Sequence, residues 1–184
     1  MTMGNYTKFF LMIFTAMIAM FGINYLNSYA ISHVHWSETR FYMVFVMGSA
    51  MAVIMLAFMK DMYKNKLVNN YIYSGSVLIF LISIGLVRSQ FTVSDTSWMN
   101  AMIPHHSIAI LTSERAQIKD IRVKELANNI IKAQRKEIKE MEWLLKDIGQ
   151  NGEVESKRTL VGREVPKFEG NLKSQDSFEN ILSE

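Results

Sequence analysis

Residues 9–26 have the sequence FFLMIFTAMIAMFGINYL, which contains no charged side chain. Two further uncharged runs follow, at residues 41–59 and 71–87, and neither proline of the chain falls in any of the three. Each run is about 17–20 residues long, which is the helical length needed to cross roughly 30 Å of hydrocarbon. The sequence therefore predicts three transmembrane helices, at about residues 9–27, 41–59 and 70–87.

The first run also has the outline of a secretory signal peptide, because Lys8 precedes an apolar stretch. However, no clear small-x-small cleavage site follows it, and two more apolar runs come after it. We therefore interpret residues 9–27 as an uncleaved membrane anchor within a membrane domain of residues 1–90.

The charges of the two short loops predict the orientation of the helices. Residues 60–66 hold three lysines and one aspartate, whereas residues 27–40 hold one arginine and one glutamate. Positively charged loops stay on the cytoplasmic side. We therefore expect a multi-pass protein of the cell (inner) membrane, with a cytoplasmic amino terminus and residues 88–184 outside the cytoplasm. All four histidines then lie outside the cytoplasm.

The composition limits the kinds of molecule that the protein is expected to bind. The formal net charge is only +3, and much of the basic excess is lysine close to the predicted membrane helices. This pattern predicts contact with the lipid bilayer and no nucleic-acid partner. The chain has no cysteine, which excludes disulfides and thiolate metal ligands.

A pair of helices is predicted after the membrane domain, within a domain of residues 91–149. Ser94 or Asp95 is a suitable N-cap for the first helix. Pro104 interrupts this helical pattern, so we expect a kink or a new helix start there. The second helix is predicted from about residue 123 to 148, with Gly149 as the residue that ends it.

The apolar face of the second helix predicts oligomerisation. Residues recur on it at spacings of three and four, namely Ala127, Ile131, Gln134, Ile138, Met141 and Leu145. An isolated pair of antiparallel helices cannot cover both of its apolar faces. Two hairpins that form a four-helix bundle would cover them, so we expect a homodimer. Packing against the first outer loop or the membrane surface is the alternative. Residues 150–184 are polar and are predicted to be a largely disordered tail with a short docked segment at 159–165.

Residues 104–106 are Pro-His-His and hold half of the histidines of the chain, beside Met99 and Met102. Imidazole is the commonest protein metal ligand, and thioether sulfur favours Cu(I) over Zn²⁺. This combination indicates a metal site. The alternative is that the histidines only shape a helix turn while the methionines fill a core.

Helical spacing brings the candidate ligands together. Met102 lies three residues before His105 and four before His106, so these side chains share one helix face. In an antiparallel hairpin, the start of the first helix faces the end of the second, which places Met141 opposite them and Glu137 one turn away. We predict copper as the metal, with Cu(I) favoured. Zinc is possible, bound by the two imidazoles and Glu137.

Two linked motifs carry a family resemblance. Residues 95–109 (DTSWMNAMIPHHSIA) followed by residues 126–144 (LANNIIKAQRKEIKEMEWL) resemble the family catalogued as domain of unknown function 305, over roughly residues 91–149. The resemblance implies a ferritin-like helical-bundle fold, export or membrane anchoring, and an association with copper binding or tolerance. It implies as candidate ligands Met102, His105, His106 and Met141, with Gln134 and Glu137 close to them.

The sequence departs from the family pattern at two positions. Ser107 stands where the family often has glutamine, and Thr112 stands where it often has methionine. The missing methionine removes one soft ligand, which indicates a smaller site than a methionine-rich copper store.

His33 and His35 are candidates for an accessory metal site. Their spacing of two residues places both imidazoles on one side of an extended segment. The alternative is an ordinary loop at the membrane interface, for which the neighbouring Trp36 is well suited.

The sequence shows no pattern typical of an active site. The Glu-x-x-His signature of di-iron bundles is absent, as are a nucleophile with an adjacent base and a phosphate-binding glycine loop. We therefore predict a protein that is not an enzyme. We expect a membrane-anchored, extracytoplasmic copper-binding protein for metal handling or tolerance. The alternative is a non-catalytic helical interaction or structural module.

Overall fold

The computed structural model describes residues 4–156 and 159–172, and in these residues it contains helices and no β-strand. The helices are α1 (Asn5–Ile23), α2 (Glu38–Phe58), α3 (Lys66–Ser89), α4 (Asp95–Arg115) and α5 (Ile121–Asn151), with a 3₁₀ turn at Ile31–His33 between α1 and α2. The predicted all-α fold is confirmed.

The chain divides into two compact units. The first, called here the membrane unit, contains α1, α2 and α3. The second, called the hairpin unit, contains Asn27–Trp36, α4, α5 and the segment that follows α5. The loop between α1 and α2 therefore clusters with the hairpin, whereas the sequence predicts it within a membrane domain of residues 1–90.

The three predicted membrane helices are confirmed as α1, α2 and α3, each of which is long and apolar enough to cross a membrane. The starts of α2 and α3 precede the predicted ones because capping side chains set them, whereas α1 begins after Gly4 with no side-chain cap. Ser37 caps α2 by accepting a hydrogen bond from the backbone N–H of Arg40, and Asn65 caps α3. Residue 27, the predicted end of the first helix, lies beyond Ile23, where α1 ends.

In the membrane unit, α2 packs against both α1 and α3. The most deeply buried side chains of its core are those of Phe9, Leu56 and Tyr63. The helices α1 and α2 approach closely at Gly48, where an added Cβ atom would lie only 2.5 Å from the Sδ atom of Met17. The missing side chain at Gly48 leaves room for the Met17 thioether at this crossing, and small residues are common where membrane helices pack.

In the hairpin unit, α4 and α5 form an antiparallel pair. Ser94 is the N-cap of α4, as predicted, and accepts a hydrogen bond from the backbone N–H of Ser97. The expectation of a new helix start at Pro104 is wrong, because α4 continues through this residue. The predicted bounds of the second helix are also wrong. Asp120 caps α5, so α5 begins at Ile121 rather than 123. It ends at Asn151 and is capped by Gly152, whose φ of 76° suits glycine.

The core of the hairpin unit is covered in part by the loop that precedes α2. Buried Met99, Ile103 and Ile110 of α4 pack against Ile138 and Met141 of α5. Tyr29, from the segment Asn27–Trp36, is partly buried against this cluster. Packing against the first outer loop, the alternative raised from the sequence, therefore supplies part of the cover that the hairpin needs. The homodimer and its four-helix bundle remain predictions.

The segment after α5 lies against this helix within residues 159–172. Arg163 forms an ion pair with Asp147 (Nη2 to Oδ2, 2.6 Å), and it also donates to the carbonyl oxygens of Asn151 and Gly152. Lys139 donates to the carbonyl oxygen of Glu169 at 3.0 Å. Residues 157–158 and 173–184 of the predicted tail lie outside the described residues.

Candidate functional site

The central contact of the hairpin unit joins His106 of α4 to Glu137 of α5. His106 shares the buried side of α4 with Met99 and Ile103, which lie seven and three residues before it. Glu137 directly precedes the buried Ile138 on α5. The distance between Nε2 of His106 and Oε2 of Glu137 is 2.7 Å. The imidazole is 11% exposed and the carboxylate 46% exposed, so solvent reaches the pair from the glutamate side.

The second ring nitrogen of His106 is also held. Nδ1 lies 2.8 Å from the carbonyl oxygen of Met102, one helical turn earlier. A carbonyl oxygen can only accept a hydrogen bond, so Nδ1 carries a hydrogen atom. This bond fixes the orientation of the ring and directs Nε2 towards Glu137. Histidines that ligate metals are usually oriented in this way, by donating their other N–H to a carbonyl or carboxylate oxygen.

His105 lies on a different side of α4 from its neighbour. It is exposed, and its ring centroid is 6.2 Å from that of His106, with an angle of 78° between the two rings. Successive residues of a helix point in directions about 100° apart, which explains the divergence. The two adjacent imidazoles therefore do not form a pre-arranged pair.

The two predicted methionine ligands belong to the core between α4 and α5. Met141 is buried and Met102 packs against the same cluster. Met102 lies one turn before His106, and Met141 lies one turn after Glu137. Gln134, predicted to lie near the ligands, is partly exposed three residues before Glu137. The two methionines thus lie within one helical turn of the His106–Glu137 contact.

The carboxylate and imidazole groups alone make a small donor set. Within residues 4–156 and 159–172, no group of three or more His, Cys, Asp or Glu residues is placed to hold a metal ion. His106 and Glu137 provide two donors that already face each other. Any further ligand at this place would have to come from the methionines or from a rotated His105.

The two residues of the predicted accessory pair, His33 and His35, differ in their contacts. His33 is the last residue of the 3₁₀ turn, and its Nδ1 lies 2.9 Å from the Oγ atom of Ser107. Ser107 is fully buried on α4 and also accepts a hydrogen bond of 2.7 Å from the backbone N–H of Tyr29. The segment Asn27–Trp36 is therefore attached to α4 directly beside His106. The structure shows no comparable contact for His35 within the described residues.

Arg135 of α5 also belongs to this region. Its guanidinium group contacts Glu114 (Oε1) and the hydroxyl of Tyr29, each at 3.4 Å. It also donates to the carbonyl oxygens of Asn171 (2.7 Å) and Leu172. Arg135 thus joins four segments of the hairpin unit. No local sequence signal identifies it, because its partners are distant along the chain.

The surroundings of Tyr29 alter its acidity. Burial raises the pKa of the Tyr29 hydroxyl above its ordinary value, and the nearby Glu114 carboxylate raises this pKa further. The positive charge of Arg135 opposes both effects. Tyr29 therefore remains a neutral phenol at physiological pH, able to donate a hydrogen bond while its ring packs on the core.

These features define a membrane protein in which three apolar helices accompany a helical hairpin with a histidine–glutamate pair. The chain belongs to the family described as "Domain of unknown function (DUF305)", whose family model matches residues 95–178.

A viral protein is among its relatives. "Uncharacterized protein L153" of Acanthamoeba polyphaga mimivirus is 33% identical over 144 residues, which cover 73% of this chain and 91% of the relative. The family region is less than half of the chain, so this similarity includes residues before Asp95. No solved structure matches the chain.

Proposed function

We propose that this chain is a membrane-anchored protein that binds Cu(I) outside the cytoplasm, at the hairpin unit, and serves in metal handling or tolerance. The observation that carries the proposal is the fixed imidazole of His106, whose Nδ1 is bonded to the Met102 carbonyl and whose Nε2 faces Glu137 on the opposite helix. Loss of the proton between Nε2 of His106 and the Glu137 carboxylate would leave Nε2 able to bind the metal.

The methionines favour copper over zinc. Met102 and Met141 lie one turn from His106 and Glu137 respectively, so small rotations of flexible thioether side chains could bring sulfur to the same place. Thioethers are soft ligands that favour Cu(I) and contribute little to zinc binding. Zinc would instead need a tetrahedral set of nitrogen and oxygen donors. His105 is exposed and could supply an additional imidazole to either metal.

A Cu(I) titration of the full chain in detergent, in competition with a chromophoric chelator, tests the proposal. The variant Met102→Leu/Met141→Leu conserves apolar volume, so it should cost little stability while weakening Cu(I) binding at least tenfold. The matched control is Met99→Leu, a buried methionine of the same core that is not a predicted ligand. Unchanged Cu(I) affinity in the double variant would rule out the methionines as ligands.

A second candidate function is a purely structural or interaction module. It is favoured by the fact that both ring nitrogens of His106 already have partners in the protein. In that case His105→Ala/His106→Ala would lower the melting temperature by the same amount with and without Cu(I). Metal binding predicts instead that Cu(I) raises the melting temperature of the natural protein and not that of the variant.

A further inference from the structure

The membrane unit contains an apolar cleft of about 330 Å³, a volume within the range of about 300–1,000 Å³ typical of sites for small organic molecules. All three membrane helices contribute to its walls. Lining residues include Phe9 and Met17 of α1, Gly48 and Ala52 of α2, and Gly75 and Ile79 of α3. An occupant must therefore be apolar along most of its length.

The cleft is elongated. It extends along α1 from Phe9 to Met17, which is roughly 12 Å at the rise of an α-helix. Its walls are almost entirely apolar along this length, so it suits an extended hydrocarbon chain.

Hydrogen bonds at one end of the membrane unit connect α1 to α3, which form two walls of the cleft. The hydroxyl of Tyr6 on α1 donates to the Oδ1 atom of Asn69 on α3 (2.8 Å) and accepts from the backbone N–H of Asn65 (3.1 Å). These bonds fix the start of α1 beside the start of α3. The two walls of the cleft are thereby kept at a defined separation.

The same end of the membrane unit is rich in positive charge. Near the starts of α1 and α3, the exposed lysines are Lys8, Lys60, Lys64 and Lys66, against a single aspartate, Asp61. Lysines at a membrane surface attract anionic lipid headgroups. The lysines and the apolar cleft together match an anionic phospholipid, because this molecule carries both a negative headgroup and acyl chains.

We propose that the cleft binds one acyl chain of an anionic phospholipid, taken from the leaflet on the lysine-rich side. This lipid site is separate from the proposed copper function and does not depend on it. The lipid would fill the space between α1 and α3, while its headgroup would remain at the surface near the lysines.

Photolabelling of the full chain tests this proposal. The protein is placed in phosphatidylcholine vesicles containing a constant trace of phosphatidylglycerol with a diazirine in one acyl chain, and labelled residues are mapped by mass spectrometry. Labels are expected on partly exposed cleft residues such as Met17 and Phe45. Replacing part of the phosphatidylcholine by unlabelled phosphatidylglycerol should reduce these labels several-fold and leave labels on the exposed Leu78 and Leu81 unchanged.

Two glycines of α3 provide a matched pair of variants. An added Cβ atom meets no other atom within 4 Å at Gly75, which lines the cleft, or at Gly85, which does not. Gly75→Leu should fill the cleft and lower its labelling several-fold, whereas Gly85→Leu should leave the labelling unchanged. Both substitutions favour helix formation, so neither should prevent folding.

Several outcomes would overturn the proposal. Equal labelling in both glycine variants, labels that do not respond to unlabelled phosphatidylglycerol, or cross-links from the cleft to a second copy of the chain would each exclude a lipid site. A phosphatidylcholine tracer that labels the cleft as strongly as phosphatidylglycerol would exclude the anionic preference. If phosphatidylglycerol labels the cleft more strongly than phosphatidylcholine, as expected, Lys64→Gln/Lys66→Gln should abolish this preference. The cleft residues should still be labelled in this variant.

Discussion

The membrane unit and the hairpin unit are both helical, but their exposed side chains differ in chemistry. In the membrane unit, large apolar side chains such as Leu78 and Ile82 lie on the outside of α3, where lipid would surround them. In the hairpin unit, α5 turns its apolar side towards α4 and presents charged side chains elsewhere. Water drives the packing of the hairpin through apolar burial, whereas close contact of helices must stabilise the membrane unit. The same kind of substitution should therefore have different effects in the two regions.

The largest effect is expected from a charge in the core of the hairpin unit. Ile138 is 3% exposed and packs against α4. Ile138→Asp would bury a carboxylate without a partner, and we expect the hairpin to unfold, with loss of helical circular dichroism and rapid proteolysis of α5. Ile138→Val is the control and should cost only about 0.5–1.5 kcal/mol. An Asp variant that kept its protease resistance would contradict the assigned core. If it remained a folded dimer, the predicted dimer face would also be wrong.

A charge introduced at an exposed position should have a different effect on stability in each of the two units. Leu78 in α3 is 58% exposed and Val123 in α5 is 48% exposed. Leu78→Asp should cost about 3–4 kcal/mol of insertion free energy, because its surroundings would be hydrocarbon. Val123→Asp should change stability by less than about 0.5 kcal/mol, because its surroundings would be water. Glycosylation-based insertion assays and thermal melts measure the two values. Equal effects would mean that α3 does not span a membrane.

An intermediate effect is expected at Ser107, which attaches the segment Asn27–Trp36 to α4. Ser107→Ala would leave the buried N–H of Tyr29 without its acceptor, at a cost of about 1–3 kcal/mol. Hydrogen exchange of the Tyr29 amide should then become faster. Ser113→Ala, at a partly exposed position of the same helix, is the control and should leave this amide protected. If the exchange rate did not change in Ser107→Ala, the attachment would not persist in solution.

The smallest effect concerns pH. The Arg163 guanidinium, by hydrogen bonding to Asp147, lowers the pKa of this carboxyl below its ordinary value. The ion pair should therefore stabilise the docked segment above the pKa of Asp147 in the unfolded chain, and this contribution is lost as the pH falls through the lowered pKa of the folded state. Proteolysis after α5 should accelerate in that acidic range. Asp147→Asn should already show fast cleavage at neutral pH, with little further dependence on pH.

The parts of the fold that depend on local composition were predictable. Three uncharged runs identify membrane helices, because length and hydrophobicity are properties of each run alone. The start of α4 at Ser94 is also a local signal. The end of α5 was misplaced because Gly149 and Gly152 both suit a helix end, and only the backbone conformation selects the second.

The site was predictable only in part. The sequence placed His106 and Glu137 near each other, because both lie on facing helices, but their direct contact depends on the register between α4 and α5. The divergence of His105 follows from helical geometry, although adjacency in the sequence suggested a pair. The contacts of Arg135 with Tyr29 and Asn171 could not be anticipated, since they join segments far apart in the chain.

The attachment of Tyr29 to the hairpin has a consequence for the order of assembly. Tyr29 is separated by 78 residues from Ser107 and by 106 residues from Arg135. Both α2 and α3 are synthesised between them. The hairpin unit is thus discontinuous along the chain, and closing contacts between such distant segments is slow compared with forming either helix. During biosynthesis, Asn27–Trp36 must wait through the insertion of two membrane helices before its partners on α4 and α5 exist.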